Sequence, residues 1–201
     1  MQTALIALAA YLLGSISFAI VMSKVMRLPD PRSYGSGNPG ATNVLRSGSR
    51  IAAALTLVGD AGKGWLAVWL AALCTGEAPA AGLDGALAGL CAYLGHVFPV
   101  FHGFRGGKGV ATAAGVLVAL DPWLGLAALI TFGAIVAFFR MVSLASIIAA
   151  LFAASFAFWL FGARPITAVV AVMALLLIVR HHANIGRILR GEESRLGRKS
   201  A

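Results

Sequence analysis

The stretch Gly103-Phe104-Arg105-Gly106-Gly107-Lys108-Gly109-Val110-Ala111-Thr112-Ala113-Ala114-Gly115-Val116-Leu117-Val118-Ala119-Leu120 decides how this chain is read. Lacking Cβ atoms, Gly106, Gly107 and Gly109 let backbone N–H groups approach a ligand closely. The apolar run from Val110 to Leu120 reads as a helix, so the glycines precede a helix N-terminus, where the dipole favours an anion. Arg105 and Lys108 add full positive charges. The loop is not a Walker A motif: the far glycine position falls on His102, and Gly109 follows Lys108 where Ser or Thr is required. By itself it reads equally well as a hinge carrying two topology-setting cations. The helix is short for a membrane. Its 11 residues, at about 1.5 Å each, reach roughly half of a ~30 Å hydrocarbon core. Two arrangements follow. Either the loop dips below the surface and lines a polar cavity, or this segment and the next form a bent hairpin that does not fully cross.

The rest of the chain makes a bilayer the setting. Of its 201 residues, 60 % are hydrophobic and 11 % charged, with a mean hydropathy of +0.89. A soluble domain of this length has too little interior for so much apolar side chain. Segments suited to crossing run over Ala4–Ser23, Ile51–Leu73, Ala81–Val97, Trp123–Phe139, Val142–Phe161 and Ile166–Val179, with Val110–Leu120 as the short seventh. Asp121-Pro122 marks a helix restart, Asp as cap and Pro at the first helical position. The first segment does not read as a cleaved leader: no basic residue precedes it and no Ala-x-Ala site follows Lys24. Gly85 and Gly89, with Gly82 one turn earlier, are spaced for close helix packing.

Charge orients the bundle. Lys24, Arg27, Arg32, Arg46, Arg50, Arg105, Lys108, Arg140 and the cations from Arg180 to Lys199 share one side; Glu77, Asp84, Asp121 and Arg164 share the other. The expected fold is an all-α integral membrane protein: a seven-helix transmembrane bundle with one short helix. It forms one domain over residues 1–201, N-terminus outside and C-terminus cytoplasmic. The net charge of +9 follows from this bias. It does not point to nucleic acid, since no basic groove interleaved with aromatics is present. Cys74 and Cys91 read as small apolar residues.

Two more polar constellations lie on the cationic side. Gly35-Ser36-Gly37-Asn38-Pro39-Gly40-Ala41-Thr42-Asn43-Val44-Leu45-Arg46 offers N–H donors, a hydroxyl and a guanidinium able to clamp phosphate oxygens, although the same residues make ordinary turns. Arg180-His181-His182-Ala183-Asn184-Ile185-Gly186-Arg187 closes the last segment. On a continuous helix, at about 100° per residue, His181 and Asn184 share a face while His182 points away; helix-end histidines also simply complement the dipole. Asp60 and Lys63, at i and i+3 within a crossing segment, either neutralise each other or serve chemistry. His96 and His102 read as interfacial. No metal site is expected, because no histidine has an acidic or thiol partner at ligand spacing and both cysteines stand alone. No G-x-S-x-G elbow is present.

Taken together in order, Gly35 to Arg46, Gly95-His96 through Gly103 to Thr112, and Arg180-His181 with Asn184-Ile185 and Gly191-Glu192-Glu193 resemble the acyl-phosphate-dependent glycerol-3-phosphate acyltransferases of bacteria, the PlsY family. The resemblance covers nearly the whole chain. It implies a multi-pass enzyme of the bacterial inner membrane, active site facing the cytoplasm, working in phospholipid biosynthesis. That enzyme moves a fatty acyl group from acyl phosphate to the 1-hydroxyl of glycerol 3-phosphate, giving lysophosphatidic acid and inorganic phosphate. Implied as catalytic are His181, Asn184 and Ser36. Arg46, Lys108, Gly106, Gly107, Gly109, Gly37 and Asn38 are implied to bind substrate phosphate, with Asn43, Arg105 and Glu193 in support. No cofactor is implied. The partners are the two substrates, membrane lipids and the soluble enzyme that makes acyl phosphate. Glu192 stands where the family pattern suggests an uncharged residue, which makes Glu193 the weaker assignment. No histidine is followed by Asp at the spacing used by thioester-dependent glycerolipid acyltransferases; Phe101, Gly107, Gly186 and Arg187 fill those positions. His181 is the side-chain candidate for base, and a substrate phosphate is the other. The alternative from another class is a small permease for a phosphorylated solute, against which stands the lack of an internal repeat.

Overall fold

Two helices, α4 (Arg50–Thr75) and α6 (Val110–Leu120), cross closely enough for glycine to be required on each. A Cβ on Gly64 would strike the Thr112 carbonyl, and one on Gly115 would strike the carbonyl of Ala61. Such backbone approach is how helices associate where lipid removes the hydrophobic drive. The computed structural model describes residues 1–197, and among them the chain is helical with no strand. The remaining elements are α1 (Gln2–Gly14), α2 (Phe18–Val25), the single turn α3 (Ala41–Val44), α5 (Leu83–Val97), α7 (Pro122–Phe139), α8 (Val142–Phe161), α9 (Pro165–Arg180) and α10 (His182–Leu189). The tail cation Lys199 lies outside the described residues.

α4, α7, α8 and the stretch from Leu83 to His102 are each long and apolar enough to cross a membrane; α1 with α2 and α9 with α10 qualify if each bent pair is one span. The apolar faces of α7 and α8 are largely uncovered, with Phe138, Trp123 and Trp159 strongly exposed. Lipid is the natural solvent for such faces.

α6 ends as its sequence suggests. The Asp121 side chain accepts a hydrogen bond from the Leu124 N–H at 2.8 Å, and Pro122 opens α7. Only Asp121 separates the two helices, and a Cβ on Gly125 would meet the Val118 backbone, so α6 and α7 double back as a tight hairpin. α6 is mostly buried, packed with α4, α5 and α9 around Val116, Leu117 and Leu120.

Three expectations need correction. The first segment is not one helix: it breaks between α1 and α2 with a bend of 41°. Ser15 turns its hydroxyl back to the Tyr11 carbonyl at 2.9 Å, and the freed Ile16 carbonyl accepts from Lys63 Nζ at 2.5 Å. Local side-chain bonding of this kind interrupts helices. The helix carrying His181 and Asn184 is not continuous either: α9 and α10 meet at His181 with a bend of 59°. Last, Gly85 faces the Pro79 carbonyl of the preceding linker and Gly82 faces Glu77. The close packing instead uses Gly89 against Val116, Gly14 against the Ala92 backbone, and Gly95 against the Tyr11 carbonyl.

Candidate active site

The glycine loop is built on the end of α5. Gly106 N–H donates to the Val97 carbonyl and Gly107 N–H to the His96 carbonyl, both at 3.2 Å. These two N–H groups are therefore engaged by the protein itself, which differs from the direct phosphate donation expected of them. What their missing Cβ atoms permit is proximity, since a side chain at Gly106 would strike the His96 carbonyl and one at Gly107 the His96 imidazole. Gly109 is left-handed, φ +81°, and its α-carbon lies against the Tyr93 ring, so two independent constraints select glycine there. Tyr93, fully buried, donates its hydroxyl to the Lys108 carbonyl at 3.3 Å. The Ala113 N–H makes the first bond of α6, to Gly109. The N–H groups of Val110, Ala111 and Thr112 thus lack an intrahelical acceptor, as at any helix start.

The three distant stretches meet around this loop. Lys108 Nζ donates to Asn184 Oδ1. Asn184 Nδ2 donates to Glu193 Oε1 at 2.6 Å, and Arg187 Nε to Glu193 Oε2 at 2.7 Å. Arg180 Nη2 donates to the Gly106 and Gly107 carbonyls at 3.0 and 3.4 Å. The first loop joins through the Pro39 carbonyl, against Gly107, and through Arg46, whose Nη2 is 3.4 Å from Ser194 Oγ. The first loop is pinned by Asn43, which is buried. Its Nδ2 donates to the Pro31 and Tyr34 carbonyls at 2.6 and 3.1 Å, and its Oδ1 accepts from the Ser36 N–H at 3.0 Å. Arg46 folds beside Gly35, next to Ser36. Ser36 and Gly37 are exposed and Asn38 half-buried; the Gly37 N–H donates to the Tyr34 carbonyl at 3.0 Å. Arg105 is exposed and makes no side-chain hydrogen bond or ion pair among the described residues.

Electrostatically the site has too much positive charge. Burial drives the Lys108 ammonium down to about 8; the pull of Glu193 opposes this, and repulsion from Arg187, Arg180 and Arg46 adds to it. Burial raises the Glu193 carboxyl, but the bonds from Asn184 and Arg187 win and hold it below the ordinary carboxylate range. Burial also pushes His181, at the turn after α9, down to about 4. Its Nδ1 lies 2.8 Å from the Leu177 carbonyl. A carbonyl only accepts, so the proton belongs on Nδ1 and Nε2 is left as an acceptor. His182 is exposed, its Nδ1 3.0 Å from the Val179 carbonyl.

Sequence reasoning missed the bracing roles of Tyr93 and of Arg180. A lone aromatic within an apolar run carries no signal, whereas Arg180 was visible as a flanking cation without a target. No group of three or more His, Cys, Asp or Glu suited to a metal occurs among the described residues.

Residues 4–191 match the family model described as glycerol-3-phosphate acyltransferase. Curated relatives of that name include a protein of Ralstonia nicotianae, 58 % identical over 98 % of this chain and 95 % of its own length. Another, from Thiobacillus denitrificans, is 55 % identical over 98 % of both. Among solved structures, that of PlsY, an integral membrane glycerol 3-phosphate acyltransferase, in its glycerol 3-phosphate form superposes with a TM-score of 0.91. It is 38 % identical and matches over 98 % of this chain and 96 % of that one. The lysophosphatidic acid form of PlsY superposes at 0.89.

Proposed function

The chain belongs to the glycerol-3-phosphate acyltransferase family, and from that premise we propose that acyl phosphate is the donor from which it acylates the 1-hydroxyl of glycerol 3-phosphate. The products are lysophosphatidic acid and inorganic phosphate. The observation that carries this reading is the gathering of Arg46, Arg180 and Arg187 about Lys108, with Glu193 bonded to Arg187 and to Asn184, the partner of Lys108. Two phosphate-bearing reactants repel each other in water; a site with surplus cations holds both. Holding them side by side turns a bimolecular encounter into an oriented one, worth several kcal/mol.

In this proposal Lys108, Arg46 and the free first-turn N–H groups of α6 bind phosphate, and Gly106, Gly107 and Gly109 set the height of the loop. Gly37 and Asn38 shape the neighbouring turn, and Ser36 offers its hydroxyl to a substrate. The glycerol oxygen attacks the acyl carbonyl carbon, a carbon–oxygen ester bond forms, and the bond to the phosphate oxygen breaks. The hydroxyl proton passes to His181 Nε2. An imidazole near 4 is a weak base when the site is empty, but two bound phosphates favour its cationic form and raise it. Asn184, held by Lys108 and Glu193, fixes the ammonium that faces the phosphate of bound glycerol 3-phosphate.

The same reading places α1–α2, α4, α5, α6, α7, α8 and α9 as seven crossings of the bacterial inner membrane, in one domain. The N-terminus is outside and the cation-rich loops are cytoplasmic. The acyl chain then enters from lipid beside the short α6. The test is purified enzyme given long-chain acyl phosphate and glycerol 3-phosphate: phosphate release and lysophosphatidic acid are expected in equal amounts. Turnover with an acyl thioester and none with acyl phosphate would overturn the donor assignment.

A further inference from the structure

Beneath the glycine loop lies a charged cluster with no part in the acyl-transfer step. Asp60 and Lys63 of α4 and His96 of α5 are buried, at 2, 3 and 7 % exposure. Lys63 Nζ is 2.8 Å from Asp60 Oδ1. His96 Nδ1 is 3.5 Å from the same oxygen, an electrostatic contact and not a hydrogen bond, and it has no hydrogen-bond partner among the described residues. The other edge of the imidazole meets the site: a Cβ on Gly107 would collide with His96 Nε2. The His96 carbonyl accepts the Gly107 N–H at 3.2 Å, so one residue contacts Gly107 with both its backbone and its ring.

We propose that His96 and Asp60 are positioning residues for the anion site: the carboxylate orients the imidazole, the imidazole seats Gly107, and Gly107 sets where Lys108 stands. Lys63 completes the device from the other side. Its ammonium balances Asp60 and ties down the Ile16 carbonyl at 2.5 Å, holding the break between α1 and α2. From that break the Ser15 hydroxyl accepts the Val100 N–H at 3.3 Å, and the Tyr11 hydroxyl donates to the Phe98 carbonyl at 2.7 Å. The turn so braced follows Val97, whose carbonyl holds Gly106. Buried charge is costly and is kept where geometry has to be specified. Here it specifies the floor under a loop whose own N–H groups are spent on that floor.

The inference rests on the reading of this loop as the glycerol 3-phosphate site, and equilibrium binding separates the two. Glycerol 3-phosphate is titrated calorimetrically into the full chain in lipid nanodiscs, without donor, and steady-state kinetics follow with acyl phosphate. His96→Gln and Asp60→Asn are each expected to weaken glycerol 3-phosphate binding at least tenfold and raise its KM in step. kcat at saturation should stay within about threefold and the KM for acyl phosphate should not change. The double variant should bind no worse than the weaker single one, because both act through one chain of contacts. If Asp60→Asn fails to fold around an unpaired Lys63, Asp60→Asn with Lys63→Met removes both charges, and the same loss of binding is expected. Unchanged binding in these variants, or a fall of kcat with a rise of both KM values and a lowered melting temperature, would overturn the inference. Wild-type protein that does not bind glycerol 3-phosphate would instead overturn the reading of the loop.

Discussion

Lys108→Met separates what the ammonium does for catalysis from what it does for the fold. The substitution keeps the stem and removes the charge. In the resting site this charge is disfavoured: it is partly buried and repelled by Arg187, Arg180 and Arg46, which is why it has dropped to about 8. Because its folded value lies below its unfolded one, wild-type folding bears that penalty fully below pH 8, and the penalty fades as pH rises towards the unfolded value near 10.5. Against this, the substitution removes the bond to Asn184 Oδ1, leaving a polar atom short of a partner at a cost of about 1–3 kcal/mol. The two effects oppose each other and are of similar size. The expected shift in melting temperature at pH 7 is therefore small, within about 4 °C. Catalysis has no such compensation. In the proposed reaction the charge faces a bound phosphate, and losing one preorganised donor of that kind costs about 2.7–4 kcal/mol, or 10²–10³ in rate. The assay is phosphate release at saturating acyl phosphate, paired with thermal scans in the same detergent. A fall of less than tenfold in kcat/KM would refute the reasoning, as would a melting temperature that collapses along with activity.

Three further outcomes follow. kcat/KM should decline above about pH 8 as Lys108 loses its proton, and Lys108→Arg, which keeps the charge, should move that limb beyond pH 9.5; equal limbs in a pH series would count against Lys108 as the titrating group. Glu193→Gln should lower stability at pH 7 by about 1–3 kcal/mol through its bonds to Asn184 and Arg187. Because the Glu193 value is depressed on folding, its contribution is present above about 4.5 and lost as pH falls through the lower folded value, so the gap between wild type and variant should narrow in thermal scans as the pH falls below 4.5. Gly115→Ala should destabilise by about 1–3 kcal/mol, since its Cβ would strike the Ala61 carbonyl and push α6 from α4; a melting temperature equal to wild type would refute that crossing.

How far this arrangement could be read from sequence depended on whether each signal was local. The limits of α6 and the Asp121-Pro122 restart are written in neighbouring residues: a glycine before, a capping carboxylate after. The break at Ser15–Ser17 is not, because Ser-Ile-Ser within an apolar run is compatible with an unbroken helix. It becomes a break through Lys63, 47 residues away. The glycine loop shows the same division. Its flexibility and charge were plain, but the fate of its N–H groups depended on the His96 and Val97 carbonyls. The bend at His181 likewise invalidated an angular argument that assumed one helix, although Asn184 still reaches Lys108.

The assignment of Glu193 rested on resemblance alone, and the geometry explains why spacing could not have supplied it. Glu193 lies beyond the end of α10, on a tail with no periodicity, and works by bonding Asn184 and Arg187, 9 and 6 residues back. Without it, the Asn184 side chain would be bonded, among the described residues, only to Lys108, the cation proposed to shift towards an arriving phosphate. With it, the amide is fixed from its far side by a carboxylate that hydrogen bonding from Asn184 and Arg187 keeps charged against the effect of burial. Lys108 can then change partners while Asn184 stays in place. On the proposed reading, Glu193 is thus the group that keeps Asn184 and Arg187 preorganised before either anion arrives.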